Sequence, residues 1–242
     1  MPERHLLIDL GNSRLKWMLA TGGELDPATA GQGDLVDLER ACRSLSPGAV
    51  LLSSVADAGR ASSVAGACRE IWGVEPTRMR SQAEHNGVRN GYREPASLGV
   101  DRWMAILGAV RHHGKPVIVW DLGTATTLDA VDGSGQHLGG WILPGPGTML
   151  GALRAGTSLP LLEELPEDLL CPGRSTAEAM AGGVIAAQLG ALHRFRAAVT
   201  PILGRHARVI ATGGGAARFG PLCEGSVVDP WLVFRGMLIS HS

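Results

Sequence analysis

Two segments of this 242-residue chain carry the same phrase: an apolar run closed by Asp-Leu-Gly and followed by hydroxyl or amide side chains. The first reads Leu6-Leu7-Ile8-Asp9-Leu10-Gly11-Asn12-Ser13 and the second Val117-Ile118-Val119-Trp120-Asp121-Leu122-Gly123-Thr124, an offset of 112 residues (121 minus 9). Each is expected to be a buried strand that sets a carboxylate at its tip. The chain then turns through a glycine whose missing side chain lets backbone N–H groups approach an anion. Repetition at about half the chain length implies two like-folded halves, divided as residues 1–114 and 115–242, with a phosphate and metal clamp in a cleft between them. An Asp and a Gly near a turn are common by chance, but here the apolar lead-in and the polar follow-on repeat as well.

Alternating strand and helix signals point to an α/β fold. After Gly11-Asn12-Ser13, residues 14–20 alternate, with Leu15, Trp17 and Leu19 on one face and Arg14, Lys16 and Met18 on the other. This is the period of a half-buried strand, so residues 5–20 read as a hairpin. Residues 35–45 have helical spacing, 49–55 form a buried strand and 61–72 a helix, while 91–100 are loop before an apolar helix from Asp101 to about His112. Gly114-Lys115-Pro116 reads as a linker. The second half repeats the hairpin over 117–131, adds a strand over 137–143, a loop over 144–148 and a helix from about Met149. Residues 163–175 read as an exposed excursion, and Thr176 is placed as the N-cap of a helix over 177–195 with Glu178 in its first turn. Small residues along that helix, among them Gly182, Gly183, Ala186 and Gly190, would let another helix approach closely. A strand over 207–211 ends in Thr212-Gly213-Gly214-Gly215, and residues 231–239 form a closing helix.

A net charge of −1, a pI near 6.7 and the lack of a basic block leave no electrostatic footprint for nucleic acid or an anionic membrane. The expected partners are small molecules and other protein chains. Cys42, Cys68, Cys171 and Cys223 have no close pairing, as buried thiols in a reducing compartment would. Asp9 interrupts the only early apolar run, and the apolar stretch over 179–192 is too short and too rich in Gly and Ala to span a bilayer. A cytoplasmic protein is expected.

The common nucleotide signatures are missing. Residues 151–158 have the glycine spacing of a P-loop, but Thr157 stands where its lysine is required and no central strand precedes it; no Rossmann glycine pattern opens a helix after a strand. His112-His113 reads as a solvated helix end rather than a metal site. Phosphoryl transfer needs a divalent cation, phosphate-holding donors and a group that orients or deprotonates the acceptor. Asp9 and Asp121 are hard oxygen ligands, Asn12, Ser13, Thr124, Thr126 and Thr127 are donors beside turns, and Lys16 is either a phosphate contact or an exposed strand lysine. The Gly213 to Gly215 loop suits a nucleotide base or ribose, or is a plain turn. Asp101 is either a helix N-cap or the acceptor-side carboxylate. The second role gains from the adjacent Arg102 and from Tyr92, the chain's single tyrosine, in the lead-in.

These motifs, taken in order, resemble the type III pantothenate kinases, also called the Bvg accessory factor family. They are Asp9-Leu10-Gly11-Asn12-Ser13-Arg14-Leu15-Lys16, Gly91-Tyr92-Arg93-Glu94-Pro95 leading to Leu98-Gly99-Val100-Asp101-Arg102, and Asp121-Leu122-Gly123-Thr124-Ala125-Thr126-Thr127 with Asp129. Gly139 to Gly145, Thr157 to Pro160, and Thr176 with Ala179 follow. The resemblance implies an acetate and sugar kinase, Hsc70 and actin type fold with two ribonuclease H-like halves. It also implies ATP-dependent phosphorylation of the pantothenate 4′-hydroxyl, the first step towards coenzyme A. Matched by position, Asp9, Leu10, Gly11, Asn12, Ser13, Arg14 and Lys16 would line the ATP phosphates, with Thr124 also touching ATP. Asp101 would be the general base, and Tyr92, Gly99, Val100, Asp101, Arg102 and Thr176 would hold pantothenate. Asp121 would bind potassium or ammonium, and Asp9 would face Mg²⁺. The family is homodimeric. The chain departs from it at Gly215, where an acidic or amide residue is usual. Two other readings stand beside this one: a kinase of the same superfamily for another small hydroxyl compound, and a nucleotide-binding accessory protein without catalysis.

Overall fold

The computed structural model describes residues 3–156 and 172–241; the 157–160 motif, Cys171 and most of the 163–175 excursion lie outside the described residues. Its elements are β1 (Arg4–Leu10), β2 (Leu15–Thr21), β3 (Glu24–Gly33), α1 (Leu35–Cys42), β4 (Ala49–Ser54), α2 (Ala58–Trp72), β5 (Thr77–Arg78), β6 (Glu84–His85), β7 (Val88–Arg89) and α3 (Val100–His113). Then follow β8 (Val117–Leu122), β9 (Ala125–Val131), β10 (His137–Pro144), α4 (Pro146–Gly156), α5 (Thr176–Leu203), β11 (Arg208–Thr212), α6 (Ala216–Phe219), β12 (Ser226–Val228) and α7 (Leu232–His241).

The duplication in the sequence is a duplication of topology. One five-stranded sheet runs β3-β2-β1-β4-β5 and the other β10-β9-β8-β11-β12. In each, the Asp-Leu-Gly strand pairs antiparallel with the next strand of its hairpin and parallel with the strand that follows a helix. Side chains alternate across a strand, so each sheet has two faces of fixed identity. Leu6, Ile8 and Leu10 of β1, with Leu15, Trp17 and Leu19 of β2, pack against Leu38 of α1 and Val64 and Cys68 of α2. Ile118, Trp120 and Leu122 of β8 pack in the same manner against Ile185, Leu192 and Phe195 of α5 and Phe219 of α6. Asp9 and Asp121 have the opposite parity and stand on the other face of each sheet.

That other face of the first sheet is not solvated as the alternation of β2 suggested: Met18 is fully buried. The closing helix α7 lies against β1 and packs on α3 at glycines. A Cβ at Gly236 would collide with the Met104 backbone, and one at Gly108 with the Leu232 carbonyl. The chain accordingly separates into a first unit, residues 1–112 with 231–242, and a second, residues 113–230. The expected boundary at 114/115 sits beside the first crossing, but the closing helix joins the first unit rather than the second.

Several local expectations are corrected. Strand β3 had no sequence signal, because Glu24 to Gly33 is polar, broken by Pro27, and only partly buried at a sheet edge. Helix α5 is capped by Ser175, whose side chain accepts from the Glu178 N–H at 3.2 Å, so Thr176 is its first residue and not its cap; the helix continues to Leu203. His113 is paired: its Nε2 lies 2.8 Å from Asp229 Oδ2, while its carbonyl accepts from Arg208 Nη1 at 2.9 Å. Asp129, from the middle motif, is buried against His137 at 2.9 Å.

Candidate active site

The first Asp-Leu-Gly strand carries Asp9 between Lys16 of β2 and Ser53 of β4, its register partners on either side. All three share the face opposite α1 and α2. Asp9 Oδ1 is sealed from solvent and has no hydrogen-bond partner, as is the Ser53 hydroxyl. Burial, joined by the neighbouring Asp101 carboxylate, pushes the Asp9 carboxyl up to about 6 against the lowering pull of Lys16. The hairpin closes by Gly11 N–H donating to the Arg14 carbonyl at 3.0 Å. Leu10, which pairs with Leu15 across the hairpin, is core, whereas Asn12, Ser13 and Arg14 are exposed on the turn. The carbonyls of Gly11 and Asn12 both accept from Arg60 Nη1, at 3.1 and 2.6 Å.

Asp101 lies inside the first turn of α3, which begins at Val100; Gly99 precedes the helix and its carbonyl accepts from the Trp103 N–H at 3.0 Å. Asp101 is therefore not the N-cap residue. Its Oδ1 accepts from the Arg102 N–H at 2.7 Å, and a Cβ on Gly99 would press on that oxygen at 2.7 Å, so glycine there keeps the carboxylate open on one side. Buried Arg102 reaches back to Tyr92, with Nη1 2.7 Å from the phenol oxygen and its carbon 5.5 Å from the ring centroid. The loop that presents Tyr92 is held by Asn90, whose Oδ1 accepts from the Tyr92 N–H at 3.0 Å and whose Nδ2 donates to the Gln82 and Pro95 carbonyls, each at 3.1 Å. The first unit thus brings Asp9, Lys16 and Asp101 together, and Tyr92 with Arg102.

In the second unit Asp121 is flanked by Thr127 of β9 and Thr212 of β11. Gly213, at φ +85°, packs directly on it: a Cβ there would collide with Asp121 Oδ1 and the Leu122 backbone. Gly123 N–H donates to the Ala125 carbonyl at 3.1 Å, and the Thr124 carbonyl accepts from Gly145 N–H at 2.9 Å and from Thr148 Oγ1 at 2.6 Å. The unusual Gly215 has a packing reason, since its N–H donates to the Leu122 carbonyl at 2.9 Å and a Cβ would lie 3.0 Å from that of Leu122. Thr176 is exposed at the start of α5.

Ser53, Arg60 and Asn90 were not singled out from the sequence. Ser53 was findable, as a hydroxyl at the tip of the strand Ala49 to Ser54. Arg60 was not, because its link to residues 11 and 12 spans about 50 positions and follows no motif.

The three-dimensional arrangement agrees with comparison to known proteins. A family profile described as type III pantothenate kinase matches residues 5–198. A type III pantothenate kinase of Alkalilimnicola ehrlichii is 37% identical over 241 residues, covering 96% of this chain and 95% of the relative. Among solved structures, a protein of Campylobacter jejuni described as a Baf family transcriptional activator superposes with a TM-score of 0.65 at 18% identity over 98% of each chain. An archaeal actin homologue does so with 0.50 at 14% identity, again over 98% of each. These two show the fold, one shared with an actin homologue. With its sequence matched across nearly the whole length and its two Asp-Leu-Gly turns in place, the chain belongs to the type III pantothenate kinase family.

Proposed function

We infer that this chain transfers the γ-phosphoryl group of ATP to the 4′-hydroxyl of pantothenate, the entry reaction of coenzyme A synthesis. The observation that carries the chemistry is the half-buried Asp9 carboxylate, one of whose oxygens is sealed from solvent without a hydrogen-bond partner, beside Lys16 and Asp101. In the transfer, the bond from the γ-phosphorus to its bridging oxygen breaks and one to the acceptor oxygen forms. Asp101 orients the hydroxyl and takes its proton. The turn offers the backbone N–H groups of residues 12–14 to the phosphates, and Lys16 offsets their charge. Tyr92, Gly99, Val100, Arg102 and Thr176 are assigned to pantothenate.

Asp9 suits Mg²⁺: an orphaned, buried hard oxygen next to a second carboxylate is the arrangement a hydrated divalent ion completes together with substrate phosphates. Bound there, Mg²⁺ would neutralise charge on the transferring group. Asp121, half-buried at a strand tip between Thr127 and Thr212, is assigned to a monovalent cation, potassium or ammonium, as a hard oxygen ligand beside hydroxyl-bearing neighbours. A homodimer is part of the same reading. It is supported by the exposed small residues Gly183, Ala186 and Gly190 along α5, which would let a second copy approach closely. The need for ATP makes the cytoplasm its place of action.

The test is a pantothenate phosphorylation assay with each ion varied in turn. Omitting Mg²⁺, or replacing potassium with sodium, is expected to remove most of the product. Full turnover in sodium alone overturns the assignment at Asp121.

A further inference from the structure

We propose that Arg60 is a positioning residue for ATP: from α2 it locks the turn over residues 11–14 so that its N–H groups face the phosphates. This rests on the reading that the turn holds those phosphates. The turn has carbonyls as well as N–H groups, and a peptide unit rotated by half a turn would present an oxygen lone pair to an anion. Arg60 Nη1 prevents that rotation by donating to two successive carbonyls, those of Gly11 at 3.1 Å and Asn12 at 2.6 Å. The second distance is that of a charge-assisted bond.

Arg60 is itself held in place. Its backbone N–H donates to Asp57 Oδ1 at 3.0 Å, in the cap of α2, so that carboxylate serves the helix end. The guanidinium charge is thus applied to the carbonyl side of the turn, where it polarises the peptide units and strengthens their N–H groups as donors. A positive charge behind the turn also favours an anion in front of it. The turn residues Asn12 and Ser13 are exposed, so core packing does not fix their peptide planes and the contact from α2 restrains them.

Equilibrium binding of ATP, together with KM for each substrate, separates this role from a merely structural one. Because binding is read directly, the result stands whether or not pantothenate is the acceptor. Arg60→Ala is expected to weaken ATP binding and raise KM for ATP roughly tenfold, with KM for pantothenate at saturating ATP unchanged. Arg60→Lys, which keeps a charged donor on the same helix, is expected to recover most of the loss. Arg60→Gln, which keeps a donor without the charge, is expected to recover less. A folded Arg60→Ala protein that binds ATP as the wild type does overturns the proposal, as does an equal rise in both KM values. Should the alanine variant fail to fold, the Lys and Gln variants decide: equal, wild-type ATP affinity in both overturns it.

Discussion

The two Asp-Leu-Gly turns occupy the same place in the same topology, yet their surroundings have diverged. In the first, the carboxylate is flanked by a lysine and a serine, has a second carboxylate nearby and keeps one oxygen unpartnered. In the second it is flanked by two threonines and covered by a glycine. The first loop, four residues between the pair Leu10 and Leu15, is held through its carbonyls by a guanidinium. The second, three residues between Leu122 and Thr126, is held by a backbone N–H and a threonine hydroxyl. A strand-turn unit fixes where a carboxylate stands, and its neighbours decide what that carboxylate does. The first turn is charged and strained electrostatically, as a site for a divalent ion and phosphate must be. The second sets its carboxylate between two threonines and against a closely packed glycine, as a structural or monovalent-cation site can.

Removing the carboxylate that stands beside the first turn should have the largest effect. Asp101→Asn is expected to lower turnover on the order of 10²-fold or more, with ATP binding retained. Unchanged turnover would remove the proton-accepting role from Asp101 and leave it a first-turn helix residue.

The next contrast lies in the strand-end carboxylates. The folded state holds the Asp9 proton more tightly than the unfolded chain, since its pKa is raised from 3.8 to about 6. Stability from this group therefore falls as pH rises through that window, and the cost is present in full above it. Asp9→Asn should abolish measurable phosphorylation while stabilising the ligand-free protein at pH 7 by about 1–3 kcal/mol, a rise in Tm of roughly 2–8 °C. The gain should vanish near pH 4. Calorimetry across pH checks this, and an Asp9→Asn protein less stable than wild type at pH 7 would contradict the electrostatic account of the first turn.

The glycines should separate the turns in the reverse sense. Gly213→Ala meets both a positive φ and a collision with Asp121, and is expected to cost about 2–4 kcal/mol. Gly11→Ala meets only the Arg14 carbonyl, at 3.3 Å, and is expected to cost about 1 kcal/mol or less. Urea denaturation of both would reveal whether the second turn is the tightly packed one.

The sequence made the strands of this comparison legible and left their surroundings hidden. Leu6 to Leu10 and Val117 to Leu122 repeat as apolar runs with a carboxylate at fixed parity, so the halves, the hairpins and the placement of Asp9 and Asp121 could be read from periodicity. Glu24 to Gly33 could not, because an exposed edge strand needs no apolar alternation. Nor could the seat of the closing helix, since the glycines that admit it, Gly108 and Gly236, are 128 positions apart and look like ordinary helix residues. In the site, Asp101 and Tyr92 stood out through their motif. Arg60 and Asn90 act through backbone carbonyls and N–H groups, partners that leave no trace in side-chain pattern.

The most direct test of the central claim is phosphorus NMR of ATP and pantothenate incubated with the protein, Mg²⁺ and potassium. The account predicts a new phosphomonoester signal on the pantothenate 4′-oxygen that grows in step with ADP. No phosphoester, with ATP bound but intact or hydrolysed to free phosphate, would contradict it.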